Sequence, residues 1–580
     1  MNAGQLLALY EKIADAPEAI PCLRRFILDL AVRGKLVPQD PADEPASELL
    51  KRVAADKARL VKSGEIKVRK IAARERDEPL EFQSPTGWVL TDLGTVAHKI
   101  TDGAHKTPTY VENGVPFVSV KDFSGGQLDL SNTRFIPEAE HSVLYQRCDP
   151  RRGDILLGRI GTLGKAVLVD TDVEFSLFVS VGLIRFDHGN INPNFFRLLL
   201  NSPFVKQEFD RIKIGGGTHT NKLNLGDLHT VALPLPPLAE QHCIVARVHE
   251  LMALCDRLEA AREKREATRD RLSAASLARL KQPDPDLATF ANHARFALDN
   301  LATLTARADQ VRLFRQTILN LAVRGKLAEQ DPSERPVIDC LLALDDMPKK
   351  TRELLKPLDP SECGGVIPES WAWLPLGSMI KGMDAGWSPQ CENHPRADET
   401  QWGVLKTTAV QALAFNASEH KKLPEKLLPR AQHEAQVGDI LVTRAGPKNR
   451  VGVSCVVDVP CPRLMISDKL IRFHVLGELS PRYFALTLNA GYTFERLEAA
   501  KSGMAVMQMN ISQNKLRAVP IPVPPLAEQH RIVTKVDELM ALCDRLEASL
   551  EQSATTRRRL LDALLHEVLQ PEARELEAAE

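Results

Sequence analysis

Two stretches of this chain are nearly the same stretch. Pro236 to Ala260 reads PPLAEQHCIVARVHELMALCDRLEA, and Pro524 to Ala548 reads PPLAEQHRIVTKVDELMALCDRLEA. Their differences are Cys243/Arg531, Ala246/Thr534, Arg247/Lys535 and His249/Asp537. A second pair lies upstream: LAVRGKL stands at 30–36 and again at 321–327. The copies are 288 and 291 residues apart, about half of the 580-residue chain. Solenoid units run about 20–50 residues, so this period is that of a duplicated domain pair. A duplicated pair suits a target that has two halves.

The copied blocks read as helix. Ile244, Val248, Leu251, Cys255 and Leu258 recur at spacings of four and three, as do Ile532, Val536, Leu539, Cys543, Leu546 and Leu550. That is a heptad seam, the pattern of helices packing as a coiled coil. The second helix is expected to run some 40 residues, about 60 Å at 1.5 Å per residue. Further helices are expected over about 4–36 and 293–327, with Gly34 and Gly325 as C-cap glycines. QPDPD at 282–286 interrupts the helical material.

Residues of about 82–236 and 366–524 differ in kind. They are rich in Gly, Pro, Val and Thr, with short apolar runs that read as strands: VPFVSV, DILLGRI, KAVLV and VSVGLIRF in the first, GDILVTRAG, VGVSCVVDV and DKLIRFHV in the second. Both regions open on Trp followed by Leu-Gly, carry a Gly-Asp-Ile-Leu strand and close on PLPP or PVPP. Between these landmarks they diverge. The pattern divides the chain into helical regions at 1–80, 237–365 and 525–580, with α/β regions at 81–236 and 366–524. The helical parts are copied and the α/β parts are varied, so each α/β region performs its own version of one task.

No catalytic signature emerges. GRIGTLGKA (158–166) fails as a phosphate-binding loop, since Arg159 replaces the first Gly and Ala166 the Ser/Thr; it reads as strand–turn–strand. NPNF (192–195) has Asn194 where an amino-methyltransferase motif has proline, and reads as an Asn-Pro helix cap. The sequence has no HExxH, GxSxG or helicase motif. The ten cysteines form no CxxC pair, so no zinc site is expected. The first 20 residues lack the basic and apolar regions of a signal peptide. No apolar run approaches the roughly 18 residues of a membrane span. A cytoplasmic protein is expected. No catalytic, metal or cofactor-binding residue is assigned.

What remains are polar loops rich in glycine, which allows close backbone approach. Thr and Lys suit phosphates, while Arg, Asn and His can read base edges. In the first α/β region the candidates are Thr101, Asp102, His105, Lys106, Thr107, Lys121, Arg159, Thr162, Lys165, Thr218, His219, Thr220, Asn221 and Lys222. In the second they are Ser388, Lys406, Arg444, Lys448, Asn449, Arg450, Gln508, Asn510, Gln513 and Lys515. Net charge is −1, from 75 basic and 76 acidic side chains, so binding to nucleic acid must come from local patches or be shared with a partner.

LAVRGKLVPQDP…EPASELL (30–50), ITDGAHKTP (100–108), GGTHTNKLNLGDL (216–228) and the two PPLAEQ blocks occur in an order that spans the chain. With them the sequence resembles the specificity subunits of type I DNA restriction–modification systems. The resemblance implies an α+β fold with two α/β target-recognition domains separated by long antiparallel helical coiled coils, in a pseudo-twofold internal repeat. It implies that each domain reads one half of a split double-stranded DNA target in the major groove, with the gap set by the helices. Two methyltransferase subunits and two restriction/translocase subunits are implied as partners. S-adenosylmethionine, ATP and Mg are expected on those partners, and none in this chain. MDAGWSP in the second domain departs from TDGAHKTP, so contacts do not transfer from one domain to the other. The alternatives are a coiled-coil protein adaptor that never touches DNA and a self-contained restriction–methylation enzyme. Loop changes such as Lys106→Ala or Arg159→Ala that leave DNA binding by the assembled complex intact would favour the first, and methyl transfer without a partner would favour the second.

Overall fold

The computed structural model describes residues 16, 18–66, 82–215, 221–281, 287–343, 352–353, 355–364, 367–503 and 505–569. The chain forms two compact units, Met1–Lys264 with Ala554–Glu580, and Arg265–Ser553.

The first unit begins with helices α1 (Ala19–Val32) and α2 (Ala46–Lys62). Its α/β part starts with β1 (Val89–Asp92), which pairs antiparallel with β9 (Ala232–Leu235), the last strand of that part. Pro234 faces Leu90 in this two-stranded ladder, where a missing N–H is tolerated at an edge. Between them β2 (Ala97–Asp102), β5 (Ile155–Gly158), β6 (Ala166–Leu168) and β8 (Val181–Phe186) form a four-stranded antiparallel sheet in the order β2-β8-β5-β6. A three-stranded sheet has the order β4-β3-β7, from Arg134–Ile136, Val115–Val118 and Ser176–Leu177, with β3 and β7 parallel. Helices α3 (Pro193–Leu200) and α4 (Pro203–Ile212) complete the core with Phe195, Phe196, Leu199 and Val205, all fully buried. Asn192 caps α3 by accepting from the N–H groups of Asn194 and Phe195, as the Asn-Pro reading expects. GRIGTLGKA is the β5–β6 hairpin, with Leu157 opposite Ala166.

The helix α5 (Leu238–Lys281) follows β9 directly and has 44 residues, about 66 Å of rise. The PPLAEQ motif builds this junction. Glu240 is buried and accepts a 2.8 Å hydrogen bond from the Trp88 indole N–H. Gln241, also buried, accepts from the Asn192 backbone N–H at 2.9 Å and donates to the Pro236 carbonyl at 3.0 Å. Ile244, Val248 and Cys255 then bury the seam within the unit's main core cluster. On the outer side, Arg24 of α1 pairs with Asp256 and Glu259 of α5 at 2.7 and 2.8 Å.

The second unit repeats these devices. Two shorter helices, α6 (Leu287–Asp299) and α7 (Ala308–Ala322), stand where one helix over 293–327 was expected. The helix is interrupted because Gln310 accepts hydrogen bonds from the N–H groups of Ala306 and Arg307 and starts α7 afresh. Next, β10 (Ala372–Pro375) precedes β11 (Ile380–Ala385), β12 (Gly403–Leu405), β13 (His420–Lys422), β14 (Ile440–Thr443), β15 (Ala445–Gly446), β16 (Ser454–Val456), β17 (Leu464–Met465) and β18 (Leu470–Val475). Helices α8 (Pro481–Leu488) and α9 (Gly491–Ala500), then β19 (Met509–Asn510) and β20 (Pro520–Val523), lead to α10 (Leu526–Leu569), again 44 residues. The sheets have the orders β11-β18-β14-β16 and β13-β12-β17, with β10 paired to β20. Trp371 donates to Glu528 at 2.8 Å, Gln529 accepts from Ser480 N–H at 2.9 Å, and Arg315 pairs with Asp544 and Glu547. Each unit is thus α/β, with its long helix following its last strand and bonded to the Trp that leads into its first.

Candidate nucleic-acid interface

Strand ends bring the polar loops of each unit together. In the first unit Ala104 N–H donates to Leu177 O, Arg159 N–H to Ser180 O and Leu223 N–H to Arg159 O. Lys222 forms backbone bridges with both Ile160 and Ile214. The segments 99–110, 158–165, 213–215 and 221–223 therefore converge. Gly103 is required there, because a Cβ would lie 1.9 Å from the Leu177 carbonyl oxygen.

At the centre sits Asp102, 1% exposed. Its carboxylate accepts from Arg159 Nη1 at 2.5 Å, also from Arg147, and lies 3.1 Å from His105 Nε2. Arg159, itself 7% exposed, further donates to the carbonyls of Leu223 (2.9 Å) and Val179 (3.3 Å). Asp102 and Arg159, expected on the DNA-facing surface, are thus turned into the protein, because the guanidinium satisfies a buried carboxylate and two backbone acceptors. His105, Lys106, Thr107, Lys121, Thr162 and Lys222 are exposed; Thr101 and Asn221 are half-buried. Lys165 reaches the Ser124 carbonyl. Thr218, His219 and Thr220 lie outside the described residues.

The second unit uses the same backbone frame. Trp387 N–H donates to Ile466 O, Arg444 N–H to Lys469 O and Ile511 N–H to Arg444 O. Ala445 and Gly446 of β15 pair with Asn510 and Met509 of β19, which draws 443–450 and 505–516 together. Gly386 fills the role of Gly103, with a Cβ that would meet Ile466 O at 1.8 Å. Ser388 is exposed and hydrogen-bonds Asp468. Lys406 lies 3.3 Å from Glu419, and Lys515 donates to Ala500 O at 2.9 Å. Lys448, Asn449, Gln508 and Asn510 are exposed, and Gln513 is half-buried. Arg450 is a correction of the same kind as Arg159: it donates to the carbonyls of Thr407 and Val410 and to the Gln411 side chain, at 2.7, 2.6 and 2.9 Å. These bonds tie the loop to its own domain. Arg147 and Lys469 join the two rims without any local motif that would have marked them.

All ten cysteines are free, and burial pushes Cys148 and Cys455 up to about 12, far from thiolate chemistry. Among the described residues there is no group of three or more His, Cys, Asp or Glu placed to hold a metal ion. Among them, too, no helix is long and apolar enough to cross a membrane.

The sequence matches the family described as the type I restriction modification DNA specificity domain over residues 85–269 and 438–556. The type I restriction enzyme EcoEI specificity subunit of Escherichia coli is 38% identical over 571 residues, which cover 93% of this chain and 92% of that protein. This chain belongs to the type I restriction–modification specificity subunits. The EcoAI specificity subunit of Escherichia coli is 27% identical over the same shares of both chains. A solved structure of the HsdS subunit from Thermoanaerobacter tengcongensis is 21% identical, covers 84% of this chain and 98% of its own, and superposes with a TM-score of 0.41. As a specificity subunit the protein serves DNA sequence specificity and is non-catalytic.

Proposed function

We infer that the two loop rims each read one half of a bipartite target in double-stranded DNA, through the major groove. One observation carries this reading. The two units share three backbone hydrogen bonds at equivalent strand ends, Ala104–Leu177, Arg159–Ser180 and Leu223–Arg159 against Trp387–Ile466, Arg444–Lys469 and Ile511–Arg444. On that common frame they present different side chains, which is what one reading device aimed at two sequences needs. The gap between half-sites is set by α5 and α10. Leu251 and Leu258 of α5 join Leu565 of α10 in one cluster, while Leu277 and Leu280 of α5 join Leu542 and Leu546 of α10 in another. In each cluster residues from the first half of one helix share the core with residues near the end of the other, which supports an antiparallel pairing.

Two methyltransferase subunits dock on the copied helical regions and methylate adenine with S-adenosylmethionine, and two restriction subunits supply ATP- and Mg-dependent translocation and cleavage. The near-neutral chain leaves part of the phosphate neutralisation to the methyltransferases. The complex works in the cytoplasm, where its DNA is. The test is to map methylated adenines in DNA exposed to the assembled complex. A split motif is expected, with loop changes in one unit altering one half alone; a continuous motif, or one altered in both halves together, overturns the reading. Deleting matched heptads from α5 and α10 is expected to change the gap and leave both half-sites intact.

A further inference from the structure

Strand register aligns the two units residue by residue around their central arginines. In the first, Leu157 of β5 and Asp102 of β2 both pair with Gly182. In the second, Val442 of β14 and Ala385 of β11 both pair with Ile471. Two residues beyond Leu157 stands Arg159, and two beyond Val442 stands Arg444. Both arginines make the same backbone bonds, as given above. Arg444 is therefore the counterpart of Arg159, and Ala385 the counterpart of Asp102.

The side chains part company at this point. Arg159 is buried and held by the Asp102 carboxylate. Arg444 is half-buried, and its side chain has no hydrogen bond or ion pair among the described residues. Asp468, the counterpart of Val179, is engaged by Ser388. A guanidinium offers five N–H donors in a planar fork and has no neutral form near physiological pH. At the end of a strand, between loops whose backbones pair at Ala445–Asn510 and Gly446–Met509, those donors are left for something outside the domain. The fork matches the O6/N7 edge of guanine, the commonest specific contact of an arginine in the major groove.

We propose that Arg444 reads a guanine in the second domain's half-site, freed for that role because Ala385 replaces the carboxylate that immobilises its counterpart Arg159. The assignment rests on the DNA-reading role of the loop rims proposed above, and it makes the second domain's central arginine a reader and the first domain's a strut.

The experiment is competitive binding by the full chain assembled with its methyltransferase subunits. The probes are short duplexes carrying the mapped target and each single-base variant of it. Arg444→Ala is expected to abolish discrimination at one G·C pair of the second half-site, a change of about 10- to 100-fold, with other positions unaffected. Ala385→Asp rebuilds the carboxylate of the first domain, and is expected to flatten the same position. Ala385→Ser, without the charge, keeps it. Lys448→Ala tests the rim itself, because a phosphate contact there weakens all duplexes alike. If Lys448→Ala weakens binding while Arg444→Ala leaves every position discriminated, or weakens all duplexes uniformly, the guanine assignment is wrong and the rim stands. If neither change affects binding, the rim does not meet DNA and both readings fall. Should Ala385→Asp fail to fold, as circular dichroism would show, Arg444→Ala decides alone.

Discussion

Replacing Asp102 with alanine leaves the Arg159 guanidinium, 7% exposed, with the carbonyls of Leu223 and Val179 but without its counter-charge. Removing one partner of a buried ion pair costs about 3–5 kcal/mol, because the remaining charge stays desolvated. The other two partners of Asp102 add little: the Arg147 and His105 side chains are 53% and 60% exposed, and contacts open to water contribute about 0–1 kcal/mol. The loss should therefore trace to Arg159 and persist at high salt, since a buried pair is weakly screened. Asp102→Ala combined with Arg159→Met removes both charges and keeps an apolar stem, so it should recover at least about 2 kcal/mol of the single variant's loss. Urea unfolding measures the totals. Hydrogen exchange of amides in β2, β5 and β8 locates the loss, with β11, β14 and β18 as the internal control. A cost below about 1 kcal/mol for Asp102→Ala, or a double variant as unstable as the single one, would refute the argument that this pair supports the loop rim.

Burial raises the Glu240 and Glu528 carboxyls above the ordinary glutamate value of 4.5, against the opposing effect of their Trp hydrogen bonds. A raised acid contributes stability that is complete below its unfolded value and is lost as pH rises through the folded one. Glu240→Gln with Glu528→Gln removes that loss, so calorimetry across this pH range should show the parent falling relative to the variant as pH increases. Gly34 and Gly325 have φ of +67° and +68°, and a Cβ would lie 2.5 Å from the Cγ atoms of Pro85 and Pro368. Alanine at either should cost about 1–3 kcal/mol in urea unfolding. At Gly64, with φ of +78° and nothing within 4 Å, the cost should be no more than about 1–2 kcal/mol, from conformation alone.

Helix and strand runs were legible because they are local patterns. The heptad seam at Ile244, Val248 and Cys255 is buried as its period predicts. The roles of polar residues were less legible, because Asp, Arg and Gly look alike whether they face DNA or brace a loop. Arg159 and Asp102 are 57 residues apart, and no sequence window contains both. The same distance problem hid the PPLAEQ lock, whose glutamate meets Trp88 across 152 residues. The two α/β regions agree in outline but not residue by residue, because insertions differ between the copies; strand register, which a single sequence does not display, restores the alignment of Arg444 with Arg159. The break at Ala306–Arg307 was missed because Gln310 is as common inside a helix as at its start.

The lock between first strand and long helix has a consequence for synthesis. Trp88 and Glu240 are separated by 152 residues, and Trp371 and Glu528 by 157. While a ribosome makes the chain, β1 and then β10 must wait, edges unpaired, until the last strand and the first turn of the following helix have emerged. The β1–β9 and β10–β20 ladders thus close late, one after the other in chain order. A transcript truncated before residue 232 or 520 would leave a strand with an open edge, a product suited to aggregation or degradation and unable to act as half of a working subunit.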